Sequence, residues 1–131
     1  MIIDPSAIVA IIDGEPEEQA FLNLISHSQT CLLSAPGYLE LAIVLSARYG
    51  SKGTEKLDLL LQGLSISIVA FTSEHAKLAT EAFLTFGKGR HPAKLNMGDC
   101  FSYALAKATG QPLLFKGNDF SQTDIDGAYN L

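Results

Sequence analysis

The chain has 131 residues, of which 47 % are hydrophobic and 18 % charged, with a formal net charge of −5. That is enough chain for a core without disulfide or metal staples, and the composition excludes a disordered protein. The longest apolar runs are strand-sized or broken by Glu40, which excludes a membrane-spanning helix, and the negative charge argues against gripping nucleic acid by bulk electrostatics.

Met1 to Asp4 reads as a short first strand ending in an acid. Met1-Ile2-Ile3-Asp4 has no basic n-region, so no secretory signal is expected and the protein is placed in the cytoplasm. Pro5 suits the first turn of a helix, which continues through Asp13 to Gly14. Pro16 restarts a helix to about Ser28, with Ala20, Phe21, Leu24 and Ile25 on its inner stripe. Cys31-Leu32-Leu33 is a second short strand. Ser34 then caps a helix that carries Glu40, runs to Tyr49 and ends at Gly50.

A further helix is expected over 54–62, closed by Gly63. Ser65-Ile66-Ser67-Ile68-Val69-Ala70 alternates at period two and gives a third strand. Thr72 or Ser73 caps a helix over 74–86 with Ala76, Ala79, Phe83 and Phe86 inward. Gly87 to Asn96 is a Gly/Pro loop bearing Lys88, Arg90, His91 and Lys94, a local basic patch within an acidic protein. Asp99 opens a helix to Thr109, closed at Gly110. Pro112 to Phe115 is a fourth strand, Lys116-Gly117-Asn118-Asp119 a turn, and 125–129 a candidate edge strand. Strands separated by helices imply an α/β fold with a parallel sheet, and the lack of a linker or repeat implies one domain.

Open α/β sheets bind ligands beyond the carboxyl ends of their strands. Asp4 ends the first strand, Glu40 lies in the first turns after the second, Asp99 opens the helix before the fourth, and Asp119 follows the fourth. Each of the three aspartates also has an ordinary structural reading, as helix cap, macrodipole partner or turn residue. Glu40 has none: its helical face carries Pro36, Gly37, Ile43, Val44 and Ala47, and a buried carboxylate needs a partner or gives up its charge. Four acids at one sheet edge repel one another unless a cation joins them, and an all-oxygen set favours Mg²⁺ or Mn²⁺ over zinc. Such a site suits phosphoryl chemistry by activated water.

Other chemistries find no support. His27, His75 and His91 are scattered, no GxSxG turn surrounds a serine, and neither GxxxxGK[ST] nor GxGxxG is present. Cys31 and Cys100 lack metal-ligand spacing and are expected as buried free thiols. Position 6 is Ser where an aspartyl-phosphate phosphatase would have a second Asp, and the third strand ends in Ala70-Phe71-Thr72 where a phospho-receiver would have its Asp.

The segments MIIDPSAIVAII, SAPGYLELAIVLSARYG and GKGRHPAKLNMGDCFSYALAKATGQPLLFKGNDFSQTDI resemble PIN-domain toxins of the VapC type, from bacterial toxin–antitoxin pairs. The resemblance implies a single PIN-like three-layer α/β/α domain over residues 1–131, with a central, mostly parallel sheet of four or five strands. It implies a metal-dependent endoribonuclease using Mg²⁺ or Mn²⁺, an RNA substrate, a cognate VapB-type antitoxin and a homodimer. Asp4, Glu40, Asp99 and Asp119 match the family's acids, and Ser6 matches a hydroxyl expected to steady Asp4. Pro5 stands where Thr or Ser is common, and Gly117-Asn118 where many relatives carry a further acid. Lys88, Arg90, His91, Lys94 and Lys116 are the expected RNA contacts. Tyr103, four residues beyond Asp99, is either a core aromatic or a residue of the site mouth. A PIN-like module that binds RNA or protein without cutting is the alternative. Apolar residues Phe21, Leu24, Leu41, Leu45, Leu59, Leu60 and Leu61 would serve either the core or a groove for an antitoxin helix.

Overall fold

Two pairs of adjacent apolar residues show how the layers arise. Ile2 and Ile3 form β1 (Ile2–Ile3), and Leu113 and Leu114 form β4 (Leu113–Leu114), each pair sending one side chain to either face of the sheet. Ile3 and Leu114 join a core that also holds Ile8, Phe21, Leu33, Leu41, Leu45 and Leu57. Ile2 and Leu113 join a second core with Leu95, Cys100, Tyr103, Leu105 and Phe120. Helices α1 (Pro5–Ile12), α2 (Glu18–Ser26), α3 (Ala35–Tyr49) and α4 (Lys52–Gly63) supply the first core. Helices α5 (Ser73–Phe86) and α6 (Met97–Thr109) supply the second. The result, in a computed structural model that describes residues 1–130, is a three-layer α/β/α fold.

With β2 (Cys31–Ser34) and β3 (Ile66–Val69), the sheet among the described residues has four parallel strands in the order β3-β2-β1-β4. The segment expected as an edge strand instead makes a single bridge, Gly127 to Leu113, and then a 3₁₀ turn at Ala128–Asn130. The chain winds outward from β1 through β2 to β3 across one face, then returns behind the other to set β4 beside β1. Strand order therefore reverses at β1, and its carboxyl end is the crevice at which such sheets bind ligands.

Several other expectations shift on contact with the packing. On α5, Ala82 is buried and the expected Ala79 and Phe86 pack against the second core, but Ala76 is exposed and Phe83 is 39 % exposed, because the packing covers a narrower stripe than the apolar pattern suggests. On α2, Phe21 and Ile25 are buried and Ala20 is exposed. No helix among the described residues is long and apolar enough to cross a membrane. Cys31 and Cys100 are buried free thiols.

Candidate functional site

Asp4 follows β1 directly and is 5 % exposed. Its backbone N–H donates to Leu114 O at 2.9 Å, which ties it to β4. As the N-cap of α1 it accepts the Ser6 N–H on Oδ2 at 3.0 Å, and Pro5 at the first helical position withholds an N–H that would have had no partner. Ser102 on α6 donates its hydroxyl to Oδ1 at 2.5 Å. Burial raises the Asp4 pKa, the two serines oppose that rise, and the charge of Asp119 adds to it.

Ser6, whose hydroxyl is the group expected to steady Asp4, does so here with its backbone N–H, while its Oγ accepts from the Lys116 N–H at 2.9 Å. Ser102 had no place in the sequence reading. Its signal was its position, one turn after Asp99 and so on the same helical face.

Asp99 sits at the third position of α6 rather than opening it. Asn96 is the cap: its side chain accepts the Asp99 N–H at 2.9 Å, and Asp99 Oδ2 accepts the Asn96 N–H at 3.0 Å. Even with that hydrogen bond, desolvation and the charges of Asp4, Asp119 and Glu40 push the Asp99 pKa up to about 7.

Glu40 is not the buried carboxylate its neighbours suggest. The residue is exposed, and Ile43, on the face expected to be inward, is 60 % exposed. Its carboxyl nevertheless lines the cleft with Asp4 and Asp99, and its pKa is raised by desolvation and by Asp4. It comes up against the bare backbone of Gly98, where a Cβ would stand 2.6 Å from Glu40 Oε2.

The cleft is lined by Asp4, Ser6, Glu15, Glu40, Gly98, Asp99, Lys116 and Gly117, with Pro5, Val9, Leu41 and Val44 as its apolar wall. Asp119 lies outside that lining, exposed at the start of a 3₁₀ turn, and reaches Asp4 and Asp99 by charge alone. Lys116 is the one cation among the lining residues, and it is engaged elsewhere, paired with Glu15 and, at 3.1 Å, with Glu17. Asp4, Glu40 and Asp99 therefore share a cleft with no cation of their own. The donor chemistry fits a hard divalent ion, although among the described residues no three acids already stand at ion-binding separation.

The basic loop is folded by its own contacts. A bridge from Gly87 to Leu95 closes it, Lys94 adopts a left-handed φ of 54°, and Asn96, two residues on, caps α6. His91 is spent on the loop itself: its Nδ1 accepts the Ala93 N–H at 3.0 Å and its ring meets Phe86 edge-on. Arg90 lies over the Phe83 ring at 5.8 Å. Lys88, Arg90 and Lys94 are exposed and make no ion pair among the described residues. Tyr103 belongs to the core, with its hydroxyl donating to Asp124 at 2.7 Å.

A parallel sheet whose strand order reverses beside a cleft lined by carboxylates places the chain among the open α/β proteins, which bind ligands in that crevice. The family model for the PIN domain matches residues 1–126. Ribonuclease VapC30 of Mycobacterium tuberculosis is 49 % identical over 125 residues, covering 95 % of both chains. Ribonuclease VapC of Mycolicibacterium smegmatis is 47 % identical over 125 residues, covering 95 % of this chain and 97 % of its own. The chain belongs to the PIN-domain family, in its VapC branch. Among solved structures, VapC20 of Mycobacterium tuberculosis, a Sarcin-Ricin loop cleaving toxin, superposes with a TM-score of 0.76 at 16 % identity, over 95 % of each chain. VapBC2 of Rickettsia felis, bound to a DNA fragment from its promoter, gives 0.70 at 19 % identity, over 96 % of this chain and 94 % of that one. These two likenesses speak to the fold.

Proposed function

We propose that this protein is a metal-dependent endoribonuclease, the toxin of a type II toxin–antitoxin pair, which hydrolyses RNA phosphodiester bonds. The observation that carries this reading is the set of three carboxylates, Asp4, Glu40 and Asp99, brought from three elements to one cleft where none of them is paired with a cation among the described residues. Asp4 and Asp99 would be the principal holders of Mg²⁺ or Mn²⁺, with Glu40 and Asp119 completing the set directly or through water. When bound, the ion supplies a water of lowered pKa and screens the charge that grows on the phosphate.

The chain's own groups do the rest. Ser102 and the Ser6 N–H fix the Asp4 carboxylate in place. Glu40, with its raised pKa, is suited to take a proton from the attacking water. The water oxygen bonds to phosphorus as the 3′ oxygen leaves, giving a 5′-phosphate and a 3′-hydroxyl. Lys88, Arg90 and Lys94 would contact RNA phosphates and localise an affinity that the net charge opposes.

The partner reading is supported by apolar surface. Leu39 and Ile43 on α3 and Leu59 on α4 are 59 %, 60 % and 64 % exposed, and suit a helical antitoxin segment. The groove between α5 and α6, where Phe83, Leu84 and Met97 stand exposed, suits a second copy of the chain. The test of function is cleavage of RNA in Mg²⁺ or Mn²⁺ against EDTA. Asp4→Asn, which retains a good N-cap, is expected to fold and to lose cleavage on the order of 100-fold or more. Full activity in that variant, or in EDTA, would sink the mechanism.

A further inference from the structure

Lys116 stands where two glycine-defined turns meet. At the end of α1, Gly14 takes φ +65°, the Gly14 N–H donates to Ile11 O and the Glu15 N–H to Ala10 O, a Schellman motif that fixes Glu15. After β4, the Lys116 N–H is held by Ser6 Oγ and Gly117 takes φ +106°, a backbone state that a residue with a Cβ adopts only under strain. Across this gap the Lys116 ammonium pairs with Oε2 of Glu15 and Oε2 of Glu17.

The second of these pairs is incomplete. Glu17 Oε2 is 3.1 Å from the ammonium nitrogen, yet it is buried and accepts no hydrogen bond among the described residues. The contact is one of charge without an aligned N–H. The Lys116 side chain is itself 40 % exposed, and partly exposed ion pairs are weak and exchangeable. An ammonium has three donors and turns freely on a flexible stem, so an incoming phosphate oxygen competes with both acids for it.

We propose that Lys116 is the cleft's phosphate-gripping residue, and that Glu15 and Glu17 hold it as a latch which RNA must open. The proposal rests on the ribonuclease reading and adds to it a means of setting substrate affinity. Beside the three inner acids, a latched Lys116 has its charge offset by Glu15 and Glu17; a released one offers that charge to a phosphate in the cleft it lines. The latch therefore weakens binding of any RNA too short or too poorly placed to displace two carboxylates.

The test uses the full chain and a fluorophore-labelled oligoribonucleotide that the wild type cleaves in Mg²⁺ or Mn²⁺. Lys116→Ala is expected to raise KM about tenfold with kcat within about threefold, and to reduce the salt slope of RNA binding by about 0.7. The pair Glu15→Gln and Glu17→Gln is expected to lower KM at least about threefold, and this gain is expected to vanish in the triple variant that also carries Lys116→Ala. Melting temperatures of all variants establish that they fold. An unchanged or raised KM in the folded double variant would overturn the latch. So would a gain that persists without Lys116, since it would then come from removing negative charge in general. A folded wild type that cleaves no RNA would instead overturn the ribonuclease reading on which the latch rests.

Discussion

The two helices behind the sheet begin in the same way and end up with different duties. At α5, Thr72 accepts the His75 N–H at 3.2 Å and His75 Nδ1 faces the Thr72 N–H at 3.3 Å. At α6, Asn96 and Asp99 make the same reciprocal pair at 2.9 and 3.0 Å. Both are capping boxes, worth similar local stability. The difference comes from what other elements bring. His75 meets the ring of Phe71, whereas Asp99 meets the charges of Asp4, Glu40 and Asp119. A capping residue thus becomes a site residue through its surroundings, with no change in its local structure.

The comparison is broken most forcefully by Asp99→Asn set against His75→Ala. The first is expected to abolish RNA cleavage by on the order of 100-fold or more while keeping an acceptor for the Asn96 N–H; the second should leave cleavage unchanged. Equal effects would mean that Asp99 is only a cap. Ser102→Ala comes next. Removing the donor to a buried carboxylate is expected to cost about 1–3 kcal/mol in denaturant unfolding, and to slow cleavage roughly 10- to 100-fold by loosening Asp4.

Replacing the caps themselves separates stability from activity. Thr72→Ala and Asn96→Ala should each cost about 1 kcal/mol, measured by urea unfolding, but only Asn96→Ala should slow cleavage. The last test is pH. The Asp99 pKa of about 7 in the fold lies above its unfolded value, so between the two the folded state holds a proton that the unfolded chain has released. Stability in EDTA should therefore fall as pH rises through that window and level off above about pH 7. Asp4 and Glu40, also shifted upward, act in the same sense. Asp99→Asn should flatten the trend and His75→Ala should leave it, as thermal melts from pH 5 to 8 would show.

Much of the fold could be read locally. The alternation at Ser65 to Ala70, the Ser34 cap and the glycines after helices all mark boundaries through chemistry confined to a few residues. The candidate acids were legible for the same reason, since each lies next to a strand end or helix start. What could not be read depends on partners distant in sequence. Ser102 reaches Asp4 across 98 residues, and Lys116 reaches Glu15 across 101. The apolar face around Glu40 suggests burial, but Ile43 on that face is exposed, and the groups Glu40 meets, Asp4 and Gly98, lie far from it in sequence. On α5 the expected stripe is half right: Ala79 and Phe86 pack on the core, while Ala76 and Phe83 stand exposed beside the buried Ala82.

The central position of β1 has a consequence for how such a protein is made. Its first strand pairs with β2 on one side and with β4, from near the other end of the chain, on the other. A nascent chain emerging from the ribosome carries Asp4 and Glu40 early, but the residues that surround them, Asp99, Ser102 and Lys116, are translated late. Fragments from premature termination or proteolysis before α6 hold Asp4 and Glu40 but lack Asp99, Ser102 and Lys116. The long-range pairing of the fold thus withholds the assembled cleft until the chain through Lys116 has been made.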